Sequence, residues 1–168
     1  MISPYYKSRK GSVAPINLGV GVDPFNRTDG LCSKVWYEGV IGVGWTIEGS
    51  KIFEFIAQDG LFAYPTPDMS RMVVVYSDGE IKSPNNAVVL NFDGSKCCQL
   101  VAPRRLSSAK GGRLPRGGLS GFMQVGWYKD PEYMEVHFYI GESDFIESRL
   151  LRMSDFKIDA EFFYTWRL

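Results

Sequence analysis

Histidine and cysteine, the side chains most used for nucleophilic and metal chemistry, are scarce in this chain. His137 stands alone, and Cys32, Cys97 and Cys98 are the only thiols. A Ser-His-Asp triad or a Cys-His pair would have to use that one imidazole. It falls between Glu135 and Tyr139 on the polar positions of an alternating segment, with no partner evident from the sequence. One histidine and an adjacent cysteine pair lack the paired spacing of tetrahedral zinc sites, so neither a metal nor a cofactor is expected. An odd cysteine count without a framework spacing points to reduced thiols and a cytoplasmic setting. Cys97 and Cys98, as neighbours on a strand, should send one side chain inward and one outward. No apolar run reaches 18 residues, which excludes a membrane-spanning helix, and the first fifteen residues lack the apolar stretch of a secretory signal. An excess of either charge is also missing: 19 Lys plus Arg balance 19 Asp plus Glu, so average charge argues for neither a nucleic-acid nor a membrane partner.

What remains is the composition of a folded, β-rich domain. Hydrophobic residues make up 45% and aromatics 14%, enough at 168 residues to bury one core without staples. A single domain spanning 1–168 is expected. Four Asp-Gly pairs punctuate it: Asp29-Gly30, Asp59-Gly60, Asp78-Gly79 and Asp93-Gly94. Asp tolerates the left-handed backbone region and Gly has no Cβ to clash there, so each pair reads as the tip of a type I′ hairpin. "FEFIAQDGLFAYP", "VVVYSDGEIKSP" and "VVLNFDGSKCCQLVAP" share the order strand, Asp-Gly, second strand, proline. Their spacing is too irregular for a solenoid and fits a meander whose returning strands end at Pro65, Pro84 and Pro103. In "KVWYEGVIGVGWTIEGSKIFEF", Gly39, Gly42 and Gly44 would each weaken a helix by about 1 kcal/mol, so a bulged strand is expected there.

Strict alternation marks two further strands. Met134, Val136, Phe138 and Ile140 share one face of "YMEVHFYI", and from Asp155 to Leu168 apolar and polar residues alternate with one break at Phe163. "FIESRLLRM" reads as the strand between them. The fold class is therefore all-β, an antiparallel sandwich or barrel of eight to ten strands built from successive hairpins, with a small propeller-like hairpin array as the alternative.

Glycine clusters supply no convincing phosphate cradle. "LGVGVD" lacks the third glycine of the dinucleotide fingerprint and no helical pattern follows it, while "KGGRLPRGGLSG" lacks the Gly-Lys-Ser/Thr of a P-loop. Charge distribution is more informative. No acid occurs between Asp93 and Asp130, where Arg104, Arg105, Lys110, Arg113 and Arg116 accumulate in a flexible basic loop at about 102–121. Such a loop could grip phosphates, although no aromatic residue that would stack on bases lies between Arg104 and Gly121. From Asp130 to Glu161, nine acids face three bases. Trp127, Tyr128 and Tyr133, with Glu135, Glu147 and Asp159, would form an acidic, aromatic surface suited to a basic protein partner.

In "SPNNAVVLNFDGSKCCQLVAP", Ser83 to Pro103, the chain resembles small β-rich bacterial proteins that carry a Pro-Asn-Asn-Ala-Val-Val segment followed by Asp-Gly, and these are similar to the immunity proteins of polymorphic or contact-dependent toxin systems. The likeness covers about an eighth of the chain and is structural in character, so it carries over no functional residue. It implies a cytoplasmic, non-enzymatic protein that binds a toxin, such as a basic nuclease domain. Two other expectations stand beside it: a nucleic-acid-binding β-barrel using the basic loop, and an enzyme with a cleft-borne acid or base near Glu135 or His137.

Overall fold

The computed structural model describes residues 2–26, 28–77, 81–103, 119–140, 145–159 and 164–167. Twelve strands and one helix lie among them, arranged as three four-stranded antiparallel sheets, none closed into a barrel. The antiparallel all-β expectation holds. The first sheet has the order β2-β1-β3-β4, from β1 (Ile2–Ser8), β2 (Val13–Pro15), β3 (Val40–Ile47) and β4 (Ser50–Ile56). The second is a meander of β5 (Leu61–Pro65), β6 (Arg71–Tyr76), β7 (Ala87–Asn91) and β8 (Lys96–Gln99). The third is another meander, β9 (Leu119–Trp127), β10 (Tyr133–Ile140), β11 (Phe145–Arg152) and β12 (Tyr164–Arg167).

One buried cluster draws on all three sheets, from Tyr6, Val43 and Trp45 through Val73 to Val75 and Val88 to Met134, Val136 and Phe138. The runs Met72–Tyr76 and Ala87–Leu90 are buried at every position, so the second sheet is covered on both faces. That explains why these strands read as continuous apolar runs instead of alternating. In β10 the alternation is realised as expected, with Met134, Val136, Phe138 and Ile140 wholly buried.

The Asp-Gly pairs do three different things. Asp93-Gly94 is the tip of the β7–β8 hairpin, as expected. Only Gly94 has positive φ there (+86°), and its N–H donates to Asn91 O at 2.9 Å. The turn is therefore type I with a glycine bulge instead of type I′. Asp59-Gly60 is not a hairpin tip: it carries the chain from β4 in the first sheet to β5 in the second. Asp29 caps the helix α1 (Gly30–Tyr37), its carboxylate accepting from Leu31 N at 2.9 Å and Cys32 N at 3.0 Å. Gly39, at φ +81°, closes the other end by donating to Trp36 O. The segment from Lys34 to Tyr37 is thus helical, against the expected strand, while β3 beyond it is a strand with a register break at Trp45/Thr46. Asp78-Gly79 lies outside the described residues, and Ile81 and Lys82 do not form the expected returning strand.

The C-terminal alternation also overstates its strand. Ser154 and Asp155 belong to a turn in which Asp155 Oδ1 accepts from Lys157 N at 3.2 Å and Phe156 adopts φ +53°. Pairing with β11 resumes at Ile158 opposite Leu151 and continues in β12. An antiparallel return requires such a reversal, and an Asx turn supplies it without breaking the apolar rhythm. Residues 160–163 lie outside the described residues.

The Pro-Asn-Asn segment joins two sheets. Asn86 is buried; its Nδ2 donates to Tyr76 O at 2.7 Å and to Phe122 O at 3.0 Å, while its Oδ1 accepts from Phe122 N at 2.8 Å. Asn85 Oδ1 accepts from Ala102 N at 2.9 Å. These contacts give the resemblance segment an architectural role. Among the described residues no helix is long and apolar enough to cross a membrane.

Candidate functional site

A cleft of about 510 Å³ runs along the edge of β9, between it and the loop that includes Gly19 to Pro24. The loop is the "LGVGVD" segment. Val20 makes a parallel bridge to Trp127, and Asn17 closes the loop base, its N–H donating to Pro24 O at 2.8 Å and its Nδ2 to Asp23 O at 3.0 Å. Tyr64, from β5, anchors it from below: its hydroxyl accepts from Gly19 N at 2.9 Å and donates to Asn17 O at 3.0 Å. Burial raises the Tyr64 phenol above its ordinary value, with the Gly19 N–H partly offsetting this, so it stays a proton donor at neutral pH.

Trp127 forms one wall. Its Nε1–H donates to Pro65 O at 2.7 Å and its ring meets Tyr64 edge to face, with centroids 5.8 Å apart, so the indole is held in one orientation. Phe62 lines the cleft beside it. The floor carries Gln124, Glu135 and His137, brought together by the pairing of His137 with Gln124 and of Glu135 with Gly126 across β9 and β10.

His137 has partners that its isolation in the sequence concealed. Gln124 Nε2 lies 2.7 Å from Nδ1, and Glu135 Oε1 lies 2.8 Å from Nε2. Gln124 and Glu135 thus hold the imidazole at both ring nitrogens. The signal was available: residues two apart on a strand share a face. Among the described residues lining the cleft there is no serine, threonine or cysteine. No group of His, Cys, Asp and Glu among the described residues could hold a metal ion.

The expected acidic surface is divided. Trp127 and Glu135 face the cleft. Tyr128, Tyr133 and Asp159, all half-buried, gather at the neighbouring end of the third sheet, where Tyr133 pairs with Arg152 and Arg152 binds Asp159 at 3.1 Å and Asp155 at 3.4 Å. Exposed Asp130 and Glu132 adjoin this end through the hydrogen bond from Met153 N to Glu132 O. Glu147 is not on the surface: it is 0% exposed and paired with buried Arg149, because register places it opposite Phe138 on the core face. Arg104, Arg105, Lys110, Arg113 and Arg116 lie outside the described residues.

The thiols follow the expected in-and-out arrangement. Cys97 is exposed and Cys98 half-buried, and burial, reinforced by Cys97, pushes the Cys98 thiol up to about 11. It is protonated at neutral pH and weakly nucleophilic.

No family model and no curated protein matches this chain. Among solved structures, a chain from the structure of Tne2 in complex with Tni2 is similar in fold, with a TM-score of 0.58 and 16% identity over 100% of this chain and 99% of that one.

Proposed function

We propose that this chain is a non-enzymatic protein-binding domain of the immunity type, which neutralises a toxin by covering it. The observation that carries the reading is the cleft beside β9, which Asp23 and Glu135 line together with Trp127 and Phe62. Such a surface favours a basic partner electrostatically and offers it rigid aromatic anchors. Tyr128, Tyr133 and Asp159 extend it along the end of the third sheet. The fold adds support, since the similar chain comes from a complex of two proteins and is matched nearly end to end.

The test is affinity capture of the tagged chain from its native cells, before and after nuclease treatment, followed by reconstitution with the captured protein. A partner held near one-to-one after nuclease treatment, whose toxicity is suppressed on co-expression, is the expected result. Glu135→Lys should slow its association at low salt. Capture of nucleic acid alone, lost on nuclease treatment, would overturn the reading.

A further inference from the structure

We propose that Asp59-Gly60 is a site of spontaneous backbone modification, at which Asp59 converts to isoaspartate through a cyclic succinimide. The proposal is independent of the protein-binding reading and concerns a pair that the fold uses as a connector between two sheets.

The reaction requires only water. The Gly60 nitrogen attacks Cγ of the protonated Asp59 carboxyl, a C–N bond forms, and the hydroxyl leaves with the amide proton as a water molecule. A second water then opens the five-membered ring. Addition at Cγ restores aspartate, whereas addition at the α-carbonyl carbon leaves Gly60 attached through the side chain as isoaspartate. Neither step oxidises or reduces an atom. Glycine favours the attack because it has no side chain to crowd its nitrogen and its backbone rotates freely.

Three of the four Asp-Gly pairs lie among the described residues, and two of them are locked. Asp29 Oδ1 accepts from Leu31 N and Cys32 N, and Gly30 opens α1. Asp93 Oδ1 accepts from Ser95 N at 2.9 Å and from Ser95 Oγ at 2.6 Å, while Gly94 N–H is tied to Asn91 O. Asp59 is exposed, and among the described residues neither its carboxylate nor the Gly60 N–H makes a hydrogen bond. The chain is fixed on either side of them, by Ala57 N–H donating to Ile41 O at 2.8 Å and Ser77 N–H donating to Gly60 O at 2.8 Å. Between those anchors the Asp59 side chain can turn onto the Gly60 nitrogen without giving up a bond.

The locking bonds act on the two other carboxyls a second time. Cys32 N–H and then Leu31 N–H hold Asp29 below the ordinary carboxylate range, and the Ser95 hydroxyl and then its N–H do the same for Asp93. Both therefore keep a smaller protonated fraction from which water can leave. Isoaspartate at position 59 would lengthen the backbone by one carbon between buried Ala57 and buried Leu61, where the chain passes from β4 to β5.

The experiment is incubation of the intact chain in ¹⁸O-water at neutral pH and 37 °C, followed by proteolysis and mass spectrometry of the peptides that carry Asp29, Asp59 and Asp93. Each ring opening adds one ¹⁸O, and an isoaspartyl carboxyl methyltransferase supplied with S-adenosylmethionine counts the isoaspartate formed. Label at Asp59 is expected to accumulate about tenfold faster than at the other two, which must open locally before they can cyclise. In concentrated urea the three rates should converge to within about threefold, because only the fold distinguishes them. Asp59→Asn should cyclise faster and release ammonia in place of water, and Asp59→Glu should abolish labelling at that position. Equal rates in the folded chain, or faster labelling at Asp93, would overturn the proposal. A lead for Asp59 that persists undiminished in urea would also overturn it, by assigning the difference to neighbouring residues instead of the fold.

Discussion

Glu147 and Arg149, two residues apart on β11, face each other wholly out of solvent, Oε1 accepting from the guanidinium Nε at 2.5 Å. Arg149 also donates through Nη1 to Asp159 O at 3.3 Å. A buried pair of this kind adds little net stability compared with packed apolar residues, but losing one partner strands the other charge. Glu147→Met and Arg149→Met alone are each expected to cost about 3–5 kcal/mol, and the two together to recover most of that. Urea unfolding of the two single variants and the double variant measures the coupling. Single-variant costs under about 1 kcal/mol would mean that solvent reaches the pair.

Asn86 clamps β9 to the end of β6 with three hydrogen bonds to backbone groups. Asn86→Ala leaves those groups buried without that partner and should cost about 3 kcal/mol. Asn86→Asp keeps the shape but points a carboxylate oxygen at two carbonyls. Its carboxyl should therefore titrate above the ordinary value in the folded state, and the destabilisation should shrink as pH falls and the protonated form regains a donor. Denaturant midpoints at pH 7 and pH 4 test this, and an Asn86→Asp variant equally unstable at both pH values would contradict it.

Glu54 on β4 accepts from Lys7 Nζ at 2.9 Å, from Tyr5 OH at 2.9 Å and from Lys51 Nζ at 3.3 Å. The Lys7 hydrogen bond is the largest influence holding its carboxyl below the ordinary value; burial opposes it, and Tyr5 and Lys51 add to the depression. Because the folded value lies below the unfolded one, the stabilisation is fully present above the ordinary carboxylate range. It is lost as pH falls through the depressed value. Glu54→Gln should destabilise the protein by about 1 kcal/mol at pH 7 and much less at pH 3. Thermal unfolding across that range is the check, and a pH-independent cost would assign the effect to packing.

Periodicity made much of the fold legible. The buried face of β10 and the β7–β8 hairpin follow directly from alternation and from Asp93-Gly94. Where local chemistry serves two purposes, pattern alone misled. The Asp-Gly that turns a hairpin at 93 caps a helix at 29, and the deciding signal at 29 is Gly39 at the far helix end. Residue type places Glu147 on the surface, yet register places it opposite Phe138 on the core face, with a buried arginine as its companion. The Glu135–His137 contact was readable from strand geometry. The cleft was not, because Asp23, Phe62 and Trp127 come from segments remote in sequence that meet only through the packing of the sheets.

Gly94 carries two separable constraints. Its φ of +86° disfavours any side chain, and a Cβ there would fall inside the van der Waals envelope of the Phe53 ring, which packs from β4 against Trp45 at 6.0 Å between centroids. Gly94→Ala should therefore cost about 1 kcal/mol for the left-handed backbone and about 2 kcal/mol for the collision, roughly 3 kcal/mol together. In a Phe53→Ala background only the backbone part remains, so the same substitution should cost about 1 kcal/mol there. A double-mutant cycle by denaturant unfolding separates the two, and a coupling near zero would show that the Phe53 ring moves aside without cost. A coupling near 2 kcal/mol would mean that the tip of the β7–β8 hairpin is held against the first sheet through one ring and one missing methyl group.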